Sequence, residues 1–262
     1  MNQTCSILLR MCGLNRPKPK TRFGLYLRRS ERLLSLLLIA YIGLHIYPQV
    51  LFAHSITTDG ITLYSRSRVP PEASVYLART AALVQRSELA VAGRREKIFV
   101  CDSPWIYRLF NPRGSHAFAF HMHVTNHVFV AAADFTRGVA IRPGPDFNTR
   151  SLPSVLAHEI THGLIEHRLG FLRSLRLPDW VAEGYCEHVA QESTFPASDG
   201  FSLIEAGRSH PSRAFQYFVY RQMIRHLIED KHLTFKQVVA RAADYSDIER
   251  EMRAALKSRT TQ

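Results

Sequence analysis

Hydrophobic residues are spread unevenly along the chain, and the longest uncharged stretch lies near its start. From Leu33 to Phe52 no side chain carries a formal charge, and Leu and Ile dominate. A helix needs about 20 such residues to cross roughly 30 Å of hydrocarbon. Residues 33–44 have almost no polar face, which argues against a buried core helix. Tyr41 and Tyr47 suit a membrane interface, while His45, Pro48 and Gln49 mark where the apolar character fades. The segment 33–53 is therefore expected to be a transmembrane helix. No small-x-small cleavage site precedes His54, so it reads as an uncleaved signal anchor.

Beyond residue 54 the periods shorten. Residues 61–65 alternate as a strand does, and residues 72–91 place Val75, Leu77, Ala78, Ala81, Ala82 and Leu89 at helical spacing. The apolar run 98–101 reads as a buried strand, and 105–110 as a short helical turn. Residues 115–133 predict two strands broken near Asn126. The Gly- and Pro-containing stretch 138–150 predicts a loop. From 152 onward the pattern is helical, apart from a loop at 194–200. Strands gathered early and helices late predict an α+β fold, not a doubly wound parallel sheet.

Charge changes the picture in one place. The chain has 262 residues and a net charge of +12. Arg10, Arg16, Lys18, Lys20, Arg22, Arg28, Arg29 and Arg32 stand against Glu31 alone, so residues 1–32 form a basic arm. No phosphate-binding loop or aromatic–basic repeat follows, and no nucleic-acid partner is expected. A basic arm before an apolar segment instead orients the chain. Residues 1–32 are expected in the cytoplasm, and 54–262 across the membrane in an extracytoplasmic, periplasmic setting. Four cysteines are too few for a disulfide scaffold. Cys5 and Cys12 fall on the reducing side, where palmitoylation is a weakly supported option. A Cys101–Cys186 disulfide has no support in the pattern.

The chemistry concentrates in the predicted helix 152–169, at His158-Glu159-Ile160-Thr161-His162. Histidines at i and i+4 share a helix face and can reach one Zn²⁺ at about 2.0–2.1 Å. Glu159, beside the first ligand, is placed to act as general base for a zinc-bound water and to pass the proton to the leaving amine. Two zinc-enzyme classes differ in the third ligand. One needs a Gly and a third His, but Ile165 and Arg168 occupy those positions, and that class is rejected. The other takes a glutamate from a following helix. Leu177-Pro178-Asp179-Trp180-Val181-Ala182-Glu183-Gly184 opens such a helix, with Glu183 lying 21 residues after His162. Two histidines and one carboxylate leave a fourth position open, as catalytic zinc sites do. Glu187, one turn beyond Glu183, can support a ligand histidine, His158 being favoured, or can be a surface carboxylate.

His158-Glu159-x-x-His162 followed by Trp180-x-x-Glu183-Gly184 resembles the gluzincin metallopeptidases, in particular their peptidase-MA-like domain. The resemblance is specific over residues 154–188 and extends loosely from about 61 to 245. It implies a zincin-like fold, with N-terminal strands packed on the active helix and a mainly helical C-terminal part. It implies Glu183 as third zinc ligand and Glu187 as the supporting carboxylate. It also implies an edge strand that pairs with substrate, for which 126–133 is the candidate. A tyrosine that stabilises the oxyanion is implied as well: Tyr217 is the better match, Tyr220 the reserve. The Gly-x-Met-Glu-Asn motif of aminopeptidase relatives does not occur, which favours endopeptidase chemistry on a peptide or protein substrate.

Other features stay open at this level. His116, His121, His123 and His127 could form a second metal site, line a cleft, or simply pack. Cys186 reads as an inert buried thiol. The rival to a membrane-anchored zinc peptidase is a non-catalytic zinc-fold module that binds a partner or scaffolds an envelope complex, and retention of Glu159 argues against it. A zinc hydrolase acting on a non-peptide amide is a third reading.

Overall fold

The computed structural model describes residues 21–112, 114, 116–142, 144 and 148–260. Arg10, Arg16, Lys18, Lys20, Cys5 and Cys12 lie outside them. The chain divides into two units, Met1–Leu51 and Phe52–Gln262.

In the first unit, helix α1 spans Arg22–Ile46 and is capped by the Thr21 side chain, which accepts from Gly24 N at 3.1 Å. A 3₁₀ turn, Pro48–Leu51, follows. The single helix expected over 33–53 is not formed, and no helix among the described residues is long and apolar enough to cross a membrane. The reason is where α1 begins and ends. It starts early, in a region carrying Arg22, Arg28, Arg29, Glu31 and Arg32, and it stops at Ile46, before Pro48. Its uncharged part, 33–46, extends about 21 Å at 1.5 Å per residue, short of the roughly 30 Å of a bilayer core.

The second unit is α+β, as the pattern predicts. Strands β1 (His54–Thr58) and β2 (Ile61–Ser65) pair antiparallel across Asp59-Gly60. Both turn residues have positive φ, 49° and 80°, as a two-residue hairpin turn demands. Helix α2 (Ala73–Gln85) carries the chain to β3 (Glu96–Val100), which runs parallel to β2. Helix α3 (Pro104–Phe110) leads to β4 (Ala119–Met122), and β5 (His127–Val130) turns back against it. Because β5 also pairs with β3, the sheet order is β1-β2-β3-β5-β4. This corrects the expected edge strand. The centre of the 126–133 segment is the interior strand β5, all four of whose residues are buried, its end joins another strand, and β4 is the edge beside it. A continuous apolar run such as His127-Val128-Phe129-Val130 belongs inside a sheet covered on both faces. The alternating burial of β4 suits a rim.

The expected loop at 138–150 contains one short strand and the start of another, which join a second small sheet. Strands β6 (Ala132–Asp134), β7 (Val139–Ile141) and β8 (Thr149–Ser151) pair antiparallel in that order. From β8 the chain enters α4 (Leu152–Leu169) directly, with Pro153 in the first turn and Gly170 (φ 81°) closing it. Helix α4 is the centre of the unit: twelve of its residues are buried, and it packs against α2, α6 and β4. A short α5 (Phe171–Ser174) precedes α6 (Asp179–Ala190). Helix α7 (Ala197–Glu205) occupies part of the expected 194–200 loop. Helix α8 (Arg213–Arg225) ends in a π turn, His226–Asp230, before α9 (Phe235–Ala240) and α10 (Tyr245–Thr260).

One close approach fixes the helical half. A Cβ on Gly184 would lie 2.8 Å from both Tyr220 O and Ile224 Cγ1, so α6 and α8 meet where only glycine fits. The Trp180 indole donates to Ala242 O at 3.0 Å, tying α6 to the C-terminal helices. Apolar side chains from both halves, among them Val130, Leu156, Ile160, Tyr185 and Met223, form one core.

Candidate active site

Helix α4 is apolar on nearly every side, and its histidines break that pattern. His158 and His162 stand one turn apart, with ring centroids 5.0 Å apart and Nε2 atoms 3.3 Å apart. The return through α6 brings Glu183 to them. Its Oε2 lies 3.2 Å from His158 Nε2 and 3.7 Å from His162 Nε2. Three donor atoms from residues up to 25 apart in sequence thus converge on one point. Glu159 lines the same cleft, of about 780 Å³. Its walls include Phe118, Ala119, Phe120 and His121 from the β4 rim, Arg142 and Arg150 from the small sheet, and Arg213 and Tyr217 from α8.

Behind the cluster sits Glu187. It is buried, and its Oε1 lies 3.1 Å from His158 Nδ1, within ion-pair range but off the line of the ring N–H. Arg150 grips Glu187 from the other side, donating to Oε1 at 2.7 Å and to Oε2 at 3.2 Å. The same guanidinium donates to Ser154 Oγ at 3.1 Å and to Glu192 O at 2.7 Å. Burial works to raise the Glu187 pKa, but the Arg150 charge and the His158 contact outweigh it and hold it low. Burial likewise opposes ionisation of Glu183, and bonds from His158 and His162 more than offset it, lowering that pKa. For His158, burial disfavours the charged ring, yet Glu183, Glu187 and Glu159 together raise its pKa to about 10. The three carboxylates thus hold a proton on His158 more tightly than a free imidazole would.

The chemistry of the donor set is the test of whether a metal fits. Nε2 of His158, Nε2 of His162 and a carboxylate oxygen of Glu183 supply the nitrogen and oxygen donors that zinc takes. The donors lie next to open space in the cleft. Cys186 also comes within 4.8 Å of the two histidines. Its thiol is fully buried, and burial, then the charges of Glu183, Glu159 and Glu187, keep its pKa well above the usual value. Glu183 faces the cleft whereas Cys186 does not line it, so Glu183 is the better third donor. Cys101 and Cys186 are both buried free thiols.

The remaining expected residues separate clearly. Tyr217 lines the cleft, and burial followed by the Glu183 carboxylate raises its hydroxyl pKa. Arg213 stacks over its ring at 5.6 Å. Tyr220 lies in a different groove, beside Tyr245 and Arg253. The four-histidine cluster does not form as a unit. His116, His121 and His123 line the cleft, whereas His127 is buried in β5 against Phe99, at 5.2 Å between ring centroids.

Several contributors left no trace in the motif. Arg150 follows a Gly/Pro-rich stretch and belongs to no helical period. Ser154 reads as an ordinary first-turn serine. Gly163 matters because a Cβ there would come within 2.9 Å of Arg94 Nη2 and 3.0 Å of His121 Nε2. A glycine following the second histidine was the only available sign. Comparison with family models, curated proteins and solved structures finds no match to this chain.

Proposed function

We propose that the protein is a zinc-dependent metallopeptidase of the gluzincin type, acting as an endopeptidase on peptide or protein substrates. The observation that carries this is the convergence of His158 Nε2, His162 Nε2 and Glu183 Oε2, within 3.2–3.7 Å of one another, beside Glu159 in an open cleft. An edge strand above a His-Glu-x-x-His helix, with the third donor on a later helix, supports a zincin-like fold.

Zinc held by His158, His162 and Glu183 would supply Lewis acidity for water activation and for polarising the scissile carbonyl. The chain's own groups do the rest. Glu159 takes the proton of the attacking water and delivers it to the amide nitrogen as the C–N bond breaks. The Tyr217 hydroxyl donates a hydrogen bond to the carbonyl oxygen as negative charge develops there. The free edge of β4 receives the extended substrate backbone. Glu187, fixed by Arg150, sets the orientation of His158.

The same reading includes membrane attachment. Helix α1 has no buried residue, exposes Leu33, Leu34, Leu36, Leu37, Leu38 and Ile39, and carries its arginines at one end. Apolar surface beside basic charge supports binding to an anionic bilayer.

The test of the metal site is zinc content. The untagged full-length chain is equilibrated with zinc and compared with Glu183→Ala. Loss of one equivalent in the variant supports the three-donor site. Equal zinc in parent and variant, both folded, sinks it.

A further inference from the structure

A second set of metal-binding side chains lies one helical turn along α4 from His162. Glu166 projects from α4, and His121 and His123 come from β4 and the turn after it. One ligand atom from each of the three lies within 4.8 Å of the others. His123 Nδ1 is already 2.7 Å from Glu166 Oε2, and the His121 and His123 rings stand 5.3 Å apart at 89°. We propose that His121, His123 and Glu166 form a second metal site, distinct from the first and sharing α4 with it.

Three observations argue for it beyond proximity. His121 is only 8% exposed, and its Nδ1 is buried with no hydrogen-bond partner. A buried imidazole nitrogen left unpaired is costly, and native proteins seldom retain one without a ligand or a use. The other ring nitrogen is already held: Nε2 lies 3.2 Å from Asn126 Oδ1, and Gly163 of α4 leaves the ring room, since a Cβ there would come 3.0 Å from Nε2. The site also has a way in. The His123 side chain is 44% exposed and Glu166 12%, so an ion can enter from solvent and the outer ligands can rotate to meet it. Around a tetrahedral ion with bonds near 2.1 Å the donors sit about 3.4 Å apart, a closure that His123 can make by turning its ring.

Two imidazoles and one carboxylate select a borderline divalent transition metal such as Zn²⁺ over Ca²⁺ or Mg²⁺, which prefer all-oxygen cages. Occupancy would tie the edge strand β4 to α4, and so fix one wall of the cleft. This site should bind more weakly than the first, because His123 is the most exposed of the six ligands.

The test is zinc stoichiometry of the untagged full-length chain after equilibrium dialysis against Zn²⁺, for the parent, His123→Ala, Glu166→Gln and Glu183→Ala. The proposal expects two equivalents in the parent and one in each single variant. It expects none when Glu166→Gln and Glu183→Ala are combined. Two equivalents retained in both His123→Ala and Glu166→Gln would overturn it, as would a parent with one equivalent that only Glu183→Ala removes. A single equivalent lost in Glu166→Gln but kept in Glu183→Ala would uphold this site and sink the proposed peptidase site instead. His123 is exposed enough for its replacement to leave the fold intact. As a second readout, zinc should raise the melting temperature of Glu183→Ala but not of Glu183→Ala combined with His123→Ala. Equal rises in both would count against the site.

Discussion

Arg150 and Glu187 form a buried, two-pronged ion pair, with Nη1 at 2.7 Å and Nη2 at 3.2 Å from the two carboxylate oxygens. The pair stands directly behind His158, whose Nδ1 is 3.1 Å from the same Glu187 oxygen that Arg150 Nη1 holds. On the proposed function Arg150 is a positioning residue, acting on His158 through Glu187. Breaking a buried pair by removing one partner costs about 3–5 kcal/mol, because the other charge is stranded. Arg150→Met should therefore lower stability by about that much, and zinc affinity by about 10–100-fold. Adding Glu187→Gln should recover part of the stability but not the affinity. Denaturant melts and competitive zinc titration check both halves.

The two tyrosines of α8 make a sharper distinction. Tyr217 lines the cleft and feels the Glu183 charge, whereas Tyr220 faces another groove. Tyr217→Phe should lower kcat by about 10²–10³, the usual effect of losing one oxyanion donor, with zinc content unchanged. Tyr220→Phe should leave kcat within about twofold. Steady-state kinetics on one cleaved peptide decides between them, and equal effects would remove Tyr217 from the mechanism.

Gly184 couples the site to the packing. Its missing side chain lets α6, which carries Glu183, lie against α8, which carries Tyr217. Because the nearest atom is the backbone oxygen of Tyr220, Gly184→Ala cannot be relieved by rotating a side chain. A loss of about 1–3 kcal/mol is expected from overpacking, accompanied by weaker zinc binding. Thermal melts with and without zinc measure it. Gly163→Ala, which meets only the flexible end of Arg94 and the His121 ring, should cost less.

Asp102 supplies a pH test away from the metal donors. It has φ 47° and accepts from Ala133 N at 3.2 Å. Burial raises its pKa, with the Ala133 bond and Arg66 only partly opposing. A carboxyl whose folded pKa lies above its unfolded value favours folding while protonated. Its contribution is lost as pH rises through the folded pKa. Asp102→Asn keeps the acceptor and the backbone preference but not the charge. The variant should melt above the parent at pH 7, with the gap closing toward pH 4. A gap that widens on acidification would reverse the assignment.

Much of this was legible in the residues, for physical reasons that differ from part to part. The convergence of His158, His162 and Glu183 was legible because residues at i and i+4 share a helix face and a proline-led return helix can bring a carboxylate back to it. The α+β class followed from the switch of period near residue 152. The edge strand was misplaced because a continuous apolar run tells how buried a strand is, not which neighbour lies on each side. The hairpin of β7 and β8 was hidden by short strands that alternate weakly. Arg150 was invisible because its value lies in two hydrogen bonds to a residue 37 positions away. The membrane-spanning expectation counted uncharged residues through Phe52, but the helix stops at Ile46, and the turn at Pro48 takes the remainder out of it.

The central claim is that zinc and Glu159 together hydrolyse internal peptide bonds. The most direct measurement exposes a mixed peptide library to the zinc-loaded full-length chain and to zinc-loaded Glu159→Gln, with products identified by mass spectrometry. The account predicts internal cleavages by the parent, lost by at least about 10²–10⁴-fold in the variant at the same zinc content. A folded, zinc-loaded parent that leaves the library intact, or a variant that cleaves as well as the parent, would contradict it.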